Sequence, residues 1–470
     1  MMRTASFRRL ARWLPEVLLF VAFLFFALRR IGTFPAAWAD DSLFMLVAKT
    51  LALGHGYALP VLGWDWPRPY ILAVGPTLIL PVAAAIRLGG FSVAVARLPM
   101  TLYLLGSVAA VYLFVRRIGG LPAARWSAAL LISLSAFINT GKPVLGEVPA
   151  FFFLMLGLIL LQRKHQSFLS ATGTGLAFGL AIITKLPFGL ILPALAIAWI
   201  AAAVKREKRE AVFLTVTAVS ALLIALVGAY WMGLGKGFVD EMRIFLFEKQ
   251  SVVPLDTFVP IIRRPHDLLR TAYAHYALLV LLAGAGWWTV RTKTRRSLSI
   301  IMIAVVALFA AYFLNGPGWY RALLPSTLLL TLFVPAGARR LAGKKGAVLL
   351  LGTLVMVQGY WQYAGHGSSG STEAADAARV LTAQWRDRDL VFLSPEVFVR
   401  LPENPRWLFL SEELRDAERQ PPELQQRLEQ AKCLPVFRKE SHEDLEAKKG
   451  TYTPVSGRYV VLPPPSGCAQ

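Results

Sequence analysis

Trp38-Ala39-Asp40-Asp41-Ser42-Leu43-Phe44-Met45-Leu46-Val47-Ala48-Lys49, running on to Gly54-His55-Gly56-Tyr57, decides how this chain is read. Two adjacent carboxylates stand there just past the first apolar segment of a chain otherwise built for a bilayer, and charge at such a place is costly unless something uses it. Leu43, Met45, Leu46, Val47 and Leu51 predict an amphipathic segment lying along the membrane interface with its acids at the lipid boundary. Acids also open helices simply as caps, and spacing alone leaves both readings open.

The surrounding chain of 470 residues is 56% hydrophobic and 17% charged, with a mean hydropathy of +0.53. That is more apolar and less charged than a soluble domain, and it predicts a polytopic α-helical membrane protein. The net charge of +22 does not point to nucleic acid, because the basic residues fall in short clusters between apolar runs. At the amino end Arg3, Arg8, Arg9 and Arg12 precede an apolar run from Leu14 to Leu28. Arg29-Arg30 follow the run where a cleavable signal needs small residues, so the segment reads as an uncleaved first helix starting in the cytoplasm.

A span needs about 20 mostly apolar residues. Candidates fall at 14–31, 97–115, 123–139, 149–162, 168–184, 186–203, 211–231, 268–290, 297–314, 321–338 and 346–363. The apolar stretch Tyr70 to Leu88 is the deciding omission. If it does not span, the clusters Arg116-Arg117, Arg163-Lys164, Lys205 to Arg209, Arg291 to Arg296 and Arg339 to Lys345 all lie on the cytoplasmic side; if it does, all of them face outward, against the positive-inside bias. The stretch is therefore read as juxtamembrane or re-entrant, broken by Pro76 and Pro81. About eleven spans result, with the amino terminus cytoplasmic and the carboxyl terminus extracytoplasmic, in a cytoplasmic (inner) membrane.

On that topology Asp40, Asp41, Glu147, Lys185, the loop from Met232 to Asp267 and Tyr320-Arg321 converge on the outer face. Basic residues that topology does not require stand there too: Arg68, Arg97, Lys142, Lys185, Arg263, Arg264 and Arg321. Lys185 and Arg321 end or begin apolar runs, where a lipid phosphate would account for them, although Lys185 could simply snorkel and Arg321 anchor an interface. Glu147 in Gly146-Glu147-Val148-Pro149 is equally an ordinary helix start. Two acidic sites on one face suggest a paired-carboxylate site, or a metal-assisted one in which Asp40 and Glu147 hold a divalent cation.

After Tyr363 the composition turns soluble. Residues 1–363 thus form the membrane part, 364–371 a short flexible linker, and 372–470 a small extracytoplasmic α/β domain. Helices are expected over 373–385 and 412–431, and strands at 390–393, 407–410 and 458–462. Cys433 and Cys468, in an oxidising compartment, could form a disulfide pinning the tail, or remain two thiols. The domain shows no constellation that suggests catalysis.

The motifs occur in a telling order: Asp40-Asp41 with Phe44, Ala48 and Gly54-His55-Gly56-Tyr57; Gly146-Glu147-Val148-Pro149-Ala150 with Phe151-Phe152 and Leu156-Gly157; Thr184-Lys185-x-Pro187; and Tyr320-Arg321-x-Leu-Leu-Pro325. Over residues 1 to about 363 this resembles the GT-C membrane glycosyltransferases, which include the dolichyl-phosphate-mannose protein mannosyltransferases and the bacterial lipid A aminoarabinose transferases. The resemblance matches Asp40 to the essential Asp of the first outer loop, with Asp41 replacing the usual Glu and Glu147 replacing a frequent Asp. It also implies juxtamembrane helices in the first outer loop.

What the resemblance implies is transfer, with inversion, of a sugar from a polyprenyl-phosphate donor to a lipid, glycan or protein acceptor. The leaving phosphate is already acidic, so it needs positive charge rather than a general acid, and Lys185, Arg321, Arg263 and Arg264 are the cations available. Asp40 is then the general base, with Asp41 beside it and Glu147 orienting the acceptor or sharing a cation. A transporter or lipid-linked-sugar flippase is the competing reading; it expects internal repeats and midplane acids, whereas these acids map to helix ends. A silent scaffold, with only its outer domain binding a partner, would leave Asp40, Glu147, Lys185 and Arg321 expendable.

Overall fold

In the computed structural model of the chain, residues 2–69, 74–163, 167–235, 272–315, 320–365, 370–411, 422–447, 451–464 and 468 are described. Helix α1 (Met2–Leu28) leads into α2 (Ala39–Ala52), an antiparallel hairpin of β1 (Ala58–Val61) and β2 (Trp64–Pro67), and α3 (Pro76–Gly89). The membrane body continues with α4 (Val93–Gly119), α5 (Leu121–Ser133), α6 (Ser135–Gly141), α7 (Glu147–Leu161) and α8 (Phe168–Thr184). A 3-10 turn at Leu186–Leu190 joins α8 to α9 (Ile191–Val204), and α10 (Lys208–Trp231) follows. Then come α11 (Ala272–Val290), α12 (Arg296–Asn315), α13 (Tyr320–Thr331) and α14 (Val334–Ala364).

Among the described residues five helices are long and apolar enough to cross a bilayer, or six if α5 and α6, bent by 62°, count as one broken span. The chain is an integral membrane protein. Helices α7 and α8 are apolar but shorter, and they coincide with two of the stretches read as spans. The breaks have local causes. Gly120 takes φ 82 between α4 and α5, and Gly343 takes φ 67 inside α14, a backbone region that glycine enters without steric cost. Bulky side chains such as Val219, Leu223, Leu226 and Val227 of α10 stay exposed, as a lipid-facing surface requires.

Two expectations for the first loop are corrected. The stretch read as broken by two prolines is a helix from Pro76 onward: Pro76 sits in the first turn, where its missing N–H costs nothing, and Pro81 is carried inside. Residues 70–73 lie outside the described set. Helix α2 does not lie on the lipid surface either, because every residue from Asp41 to Ala48 is buried. It is enclosed by α3 on one side and, on the other, by a part of the chain more than 340 residues downstream.

That downstream part runs α15 (Glu373–Gln384), β3 (Leu390–Phe392), α16 (Pro395–Phe398), β4 (Trp407–Phe409), α17 (Pro422–Ala431), β5 (Val436–Lys439), α18 (His442–Ala447), β6 (Thr453–Ser456) and β7 (Tyr459–Leu462). The strands form one mixed sheet in the order β4-β3-β5-β7-β6, parallel where β3 meets β4 and β5, and antiparallel at β7. Strands β5 and β6 escape a sequence reading because each is four residues long and only half apolar. Of the helix expected over 412–431, residues 412–421 fall outside the described set, as do 366–369 of the linker. Cys433 and Cys468 are joined in a disulfide with Cα atoms 5.4 Å apart.

Two apolar clusters hold the molecule. One fills the helical bundle, from Phe23 of α1 through Phe114, Phe151, Phe178 and Phe309 to Leu351 of α14. The other is shared: Phe44 and Met45 of α2, Trp66 of β2 and Ile79 of α3 pack in one continuous cluster with Phe392, Phe409 and Phe437 of the sheet. The helix carrying the two acids therefore has its apolar sides in common with the C-terminal sheet.

Candidate active site at the start of the second helix

Asp40 and Asp41 lie in the first turn of α2, where the helix dipole favours negative charge. They are not caps: the N-cap is Trp38, and no side chain caps the helix. Successive residues on a helix point about 100° apart, and that rotation gives the two carboxylates different surroundings. Asp41 is wholly buried. One oxygen accepts from Arg97 Nη2 at 2.5 Å and the other from the Val144 amide at 2.6 Å. Arg97, itself fully buried, donates through Nη1 to the carbonyls of Ile31 and Pro35, each at 2.9 Å. Asp41 thus ties α2 to α4 and to the connection between α6 and α7.

Asp40 faces a different partner. Its Oδ2 accepts from Arg321 Nη1 at 2.5 Å, and the Asp40 side chain keeps 31% exposure against 13% for Arg321. Arg321 opens α13, and its guanidinium lies 5.0 Å from the centre of the Trp38 ring. One turn further along α2, Phe44 carries Lys185 Nζ 5.4 Å from its ring centre. Lys185 ends α8 and pairs with Glu147 Oε1 at 3.6 Å, an ion pair too long for a hydrogen bond.

Glu147 opens α7 and is buried, and its Oε2 is an enclosed carboxylate oxygen that accepts no hydrogen bond among the described residues. Such an atom is expensive to leave unsatisfied. Tyr312 of α12 stands close enough to both Glu147 and Arg321 to feel both charges. Four charged residues from four helix ends, Asp40, Glu147, Lys185 and Arg321, are thereby gathered along one edge of α2.

Local sequence explains the approach. A Cβ on Gly146 would fall 2.8 Å from the Thr184 carbonyl oxygen and 2.9 Å from Lys185 Cδ, so only glycine lets the start of α7 lie against the end of α8. Gly75 is tighter still, with the Ile183 carbonyl oxygen 1.9 Å from where its Cβ would be. The hydroxyls of Thr77 and Thr184, 2.6 Å apart, lock the same junction. Beneath it Lys142 is buried, donating to the Arg29 carbonyl at 2.9 Å. Loss of hydration, with the charges of Arg97 and Arg29 adding to it, pushes its pKa down to about 8.

The residues singled out from sequence therefore separate. Asp40, Glu147, Lys185 and Arg321 come together, whereas Asp41 belongs to the buried Arg97 pair. Arg263 and Arg264 lie outside the described residues. Sequence reading missed Arg97 as the partner of Asp41, since nothing in the spacing of residues 41 and 97 pairs them. It also missed Gly146, whose signal was the glycine preceding the acid.

A divalent cation at Asp40 and Glu147 would have to displace the cations that already face them. Asp40 and Glu147 each face a cationic side chain, and among the described residues no group of three His, Cys, Asp or Glu is poised around a common point. Hard divalent ions take six or more oxygen ligands, and Mg²⁺ draws most of them from waters and substrate phosphates beside one or two carboxylates.

With the geometry in hand, the comparisons converge. Residues 86–235 match the family model of the dolichyl-phosphate-mannose-protein mannosyltransferases. Among solved structures, ArnT from Cupriavidus metallidurans bound to undecaprenyl phosphate aligns over 96% of this chain and 97% of its own, at 14% identity and a TM-score of 0.65. The archaeal oligosaccharyltransferase AglB from Archaeoglobus fulgidus, in complex with an inhibitory peptide and a dolichol-phosphate, aligns over 93% of this chain and 70% of its own, at 11% identity and a TM-score of 0.57. No curated protein matches in sequence. The fold is the one shared by these two solved structures. Within it, the stretch from the end of α3 to just past α10 carries the mannosyltransferase family's pattern.

Proposed function

We propose that this protein transfers a sugar, with inversion, from a polyprenyl-phosphate donor to a hydroxyl-bearing lipid, glycan or protein acceptor at the outer face of the cytoplasmic membrane. The observation that carries this reading is the convergence of two carboxylate–cation pairs, Asp40–Arg321 and Lys185–Glu147, from four helix ends onto one edge of α2. The family match, and the polyprenyl phosphates named in the two similar structures, support the choice of donor. About eleven spans, an inside amino terminus and an outside C-terminal domain complete the reading. Arg263 and Arg264 remain further phosphate-binding candidates.

The site is balanced before substrate arrives. A donor phosphate bearing negative charge competes for Arg321 and Lys185 through charge-assisted hydrogen bonds, and in doing so releases Asp40 and Glu147 from their partners. The unsatisfied Glu147 Oε2 orients the acceptor through a neighbouring donor group, which leaves the attacking hydroxyl free to donate to Asp40. Its oxygen attacks the anomeric carbon, and Asp40 takes the proton. The bond between that carbon and the phosphate oxygen breaks with its electron pair going to the phosphate, so polyprenyl phosphate leaves without needing a general acid. Carboxylates flanking an oxocarbenium-like centre stabilise its charge. Asp41, sealed against Arg97, positions the helix and touches no substrate.

The test is sugar transfer by purified protein in lipid, with a panel of radiolabelled polyprenyl-phosphate sugars and with membrane and protein acceptors. Asp40→Asn is expected to lose about 10²–10⁴-fold in turnover while still binding donor. Equal turnover in both proteins removes Asp40 from the chemistry. Movement of intact lipid-linked sugar across the bilayer, without transfer, establishes the flippase reading instead.

A further inference from the structure

The end of α2 remote from Asp40 is held in a way that the proposed chemistry does not use. Lys49, in its last turn, buries much of its side chain and donates through Nζ to the carbonyls of Val399 at 3.2 Å and Leu401 at 2.9 Å, at the exit of α16. The ring of Phe91, just before α4, lies 5.1 Å from the same ammonium. A lysine in a final helical turn ordinarily floats in water beside its own helix end. This one is fixed on the backbone of a segment 350 residues away.

It is not alone in that direction. The Leu62 amide at the tip of the β1–β2 hairpin donates to the Phe409 carbonyl of β4 at 2.8 Å, and Arg427 of α17 donates to the Leu62 carbonyl at 3.0 Å. Arg400, between the two carbonyls that hold Lys49, lies close enough to Asp41 and Arg97 to feel both charges. The C-terminal sheet is thus fastened along the whole first-loop platform and shares its apolar cluster.

We infer that Lys49 is a positioning residue through which the turn after α16 holds α2, and with it Asp40, in register with Arg321. Lys49 is nine residues from Asp40, about 14 Å along the axis at 1.5 Å per residue, so it does not touch reacting atoms. It acts by fixing one end of a rigid rod. The other end is fixed by the Asp41–Arg97 pair, and a rod pinned at both ends holds Asp40 to the sub-ångström placement that proton abstraction demands. The catalytic part of this inference rests on the glycosyl-transfer reading; the fastening of α2 does not.

Full-length protein in lipid nanodiscs, as wild type, Lys49→Met and Lys49→Arg, separates the two. Met keeps the bulk of the side chain and removes the donor; Arg restores a donor of similar reach. Lys49→Met is expected to lower turnover about tenfold with donor KM changed less than about twofold, since the donor's phosphate contacts are intact. Amide hydrogen exchange across residues 39–52 is expected to accelerate about tenfold while exchange in α8 and α10 is unchanged. Lys49→Arg is expected to recover most of both.

Wild-type exchange in α2 of Lys49→Met, or a loss of turnover expressed wholly through donor KM, overturns the inference. If wild type transfers no sugar from any donor, the functional reading fails, and the exchange data still decide whether α2 is held by the turn after α16. Should Lys49→Met fail to fold, Arg427→Gln removes a second link; faster exchange at 58–67 and in α2 supports the fastening, and unchanged exchange refutes it.

Discussion

The first turn of α2 presents its two acids to different surroundings. Asp40 keeps about a third of its side chain exposed and lies against Arg321, a residue that starts another helix. Asp41 is sealed, both its oxygens taken up by Arg97 and the Val144 amide. One pair can be opened by a charged substrate; the other cannot be reached by one. Two identical side chains, adjacent in the chain, are given an openable and a sealed setting by a rotation of about 100° around the helix.

The comparison breaks most visibly at Asp41. Removing one partner of a buried ion pair leaves the other charged and unpaired, at a cost of about 3–5 kcal/mol. Asp41→Asn is therefore expected to lower unfolding stability in detergent by that amount, with Arg97 stranded. Asp40→Asn, at a pair whose acid is about a third exposed, is expected to cost less, about 1 kcal/mol. Chemical denaturation of the two variants side by side reads the difference. Similar stabilities for both would mean that burial does not divide their roles.

Gly146→Ala sharpens the comparison from the opposite wall. The added methyl would meet the Thr184 carbonyl and Lys185 Cδ, both under 3.0 Å, so α7 and α8 must separate. Overpacking of this kind costs about 1–3 kcal/mol, and it widens the Lys185–Glu147 pair while leaving Asp40–Arg321 in place. Turnover should fall with stability only modestly reduced. An alanine variant with wild-type turnover would show that the spacing of Glu147 from Lys185 does not matter to the reaction.

How much of this was legible beforehand depends on distance in the chain. Apolar run length gave the helical membrane body, and the Asp40, Glu147, Lys185 and Arg321 set was readable because each sits where an apolar run begins or ends. The pairings were not. Arg321 lies 281 residues from Asp40, and nothing local tells an arginine which of two adjacent acids it will meet. The interfacial reading of α2 failed for a related reason: its acids were expected at the lipid boundary, but Asp41 is covered by Arg97 and Lys49 by carbonyls of the turn after α16, partners no hydrophobic pattern reveals. Strands β5 and β6 were invisible because four residues with two apolar positions do not establish a period.

The smallest expected effect concerns the charge excess beneath Asp41. Lys142, on the connection after α6, is buried near Arg97 and Arg29, and loss of hydration first, then those two like charges, bring its pKa from 10.5 down to about 8. Between those two values the unfolded chain binds a proton at this site that the folded chain has released. Stability from this residue therefore rises as pH climbs from about 8 toward 10.5, and below about 8 the charged form is carried at a constant cost. Burial lowers the pKa of Lys49 as well, so the quantity to follow is the difference between wild type and Lys142→Met. That difference removes contributions common to both proteins, provided the sites do not couple. Wild type should gain on the variant across pH 8 to 10, most steeply near the middle of the interval, at about pH 9. A flat difference would mean that the Arg29 carbonyl and the Phe34 ring, 5.5 Å from the ammonium, hold the charge as well as water does, and the cation excess around Asp41 would then place no strain on the buried half of the comparison.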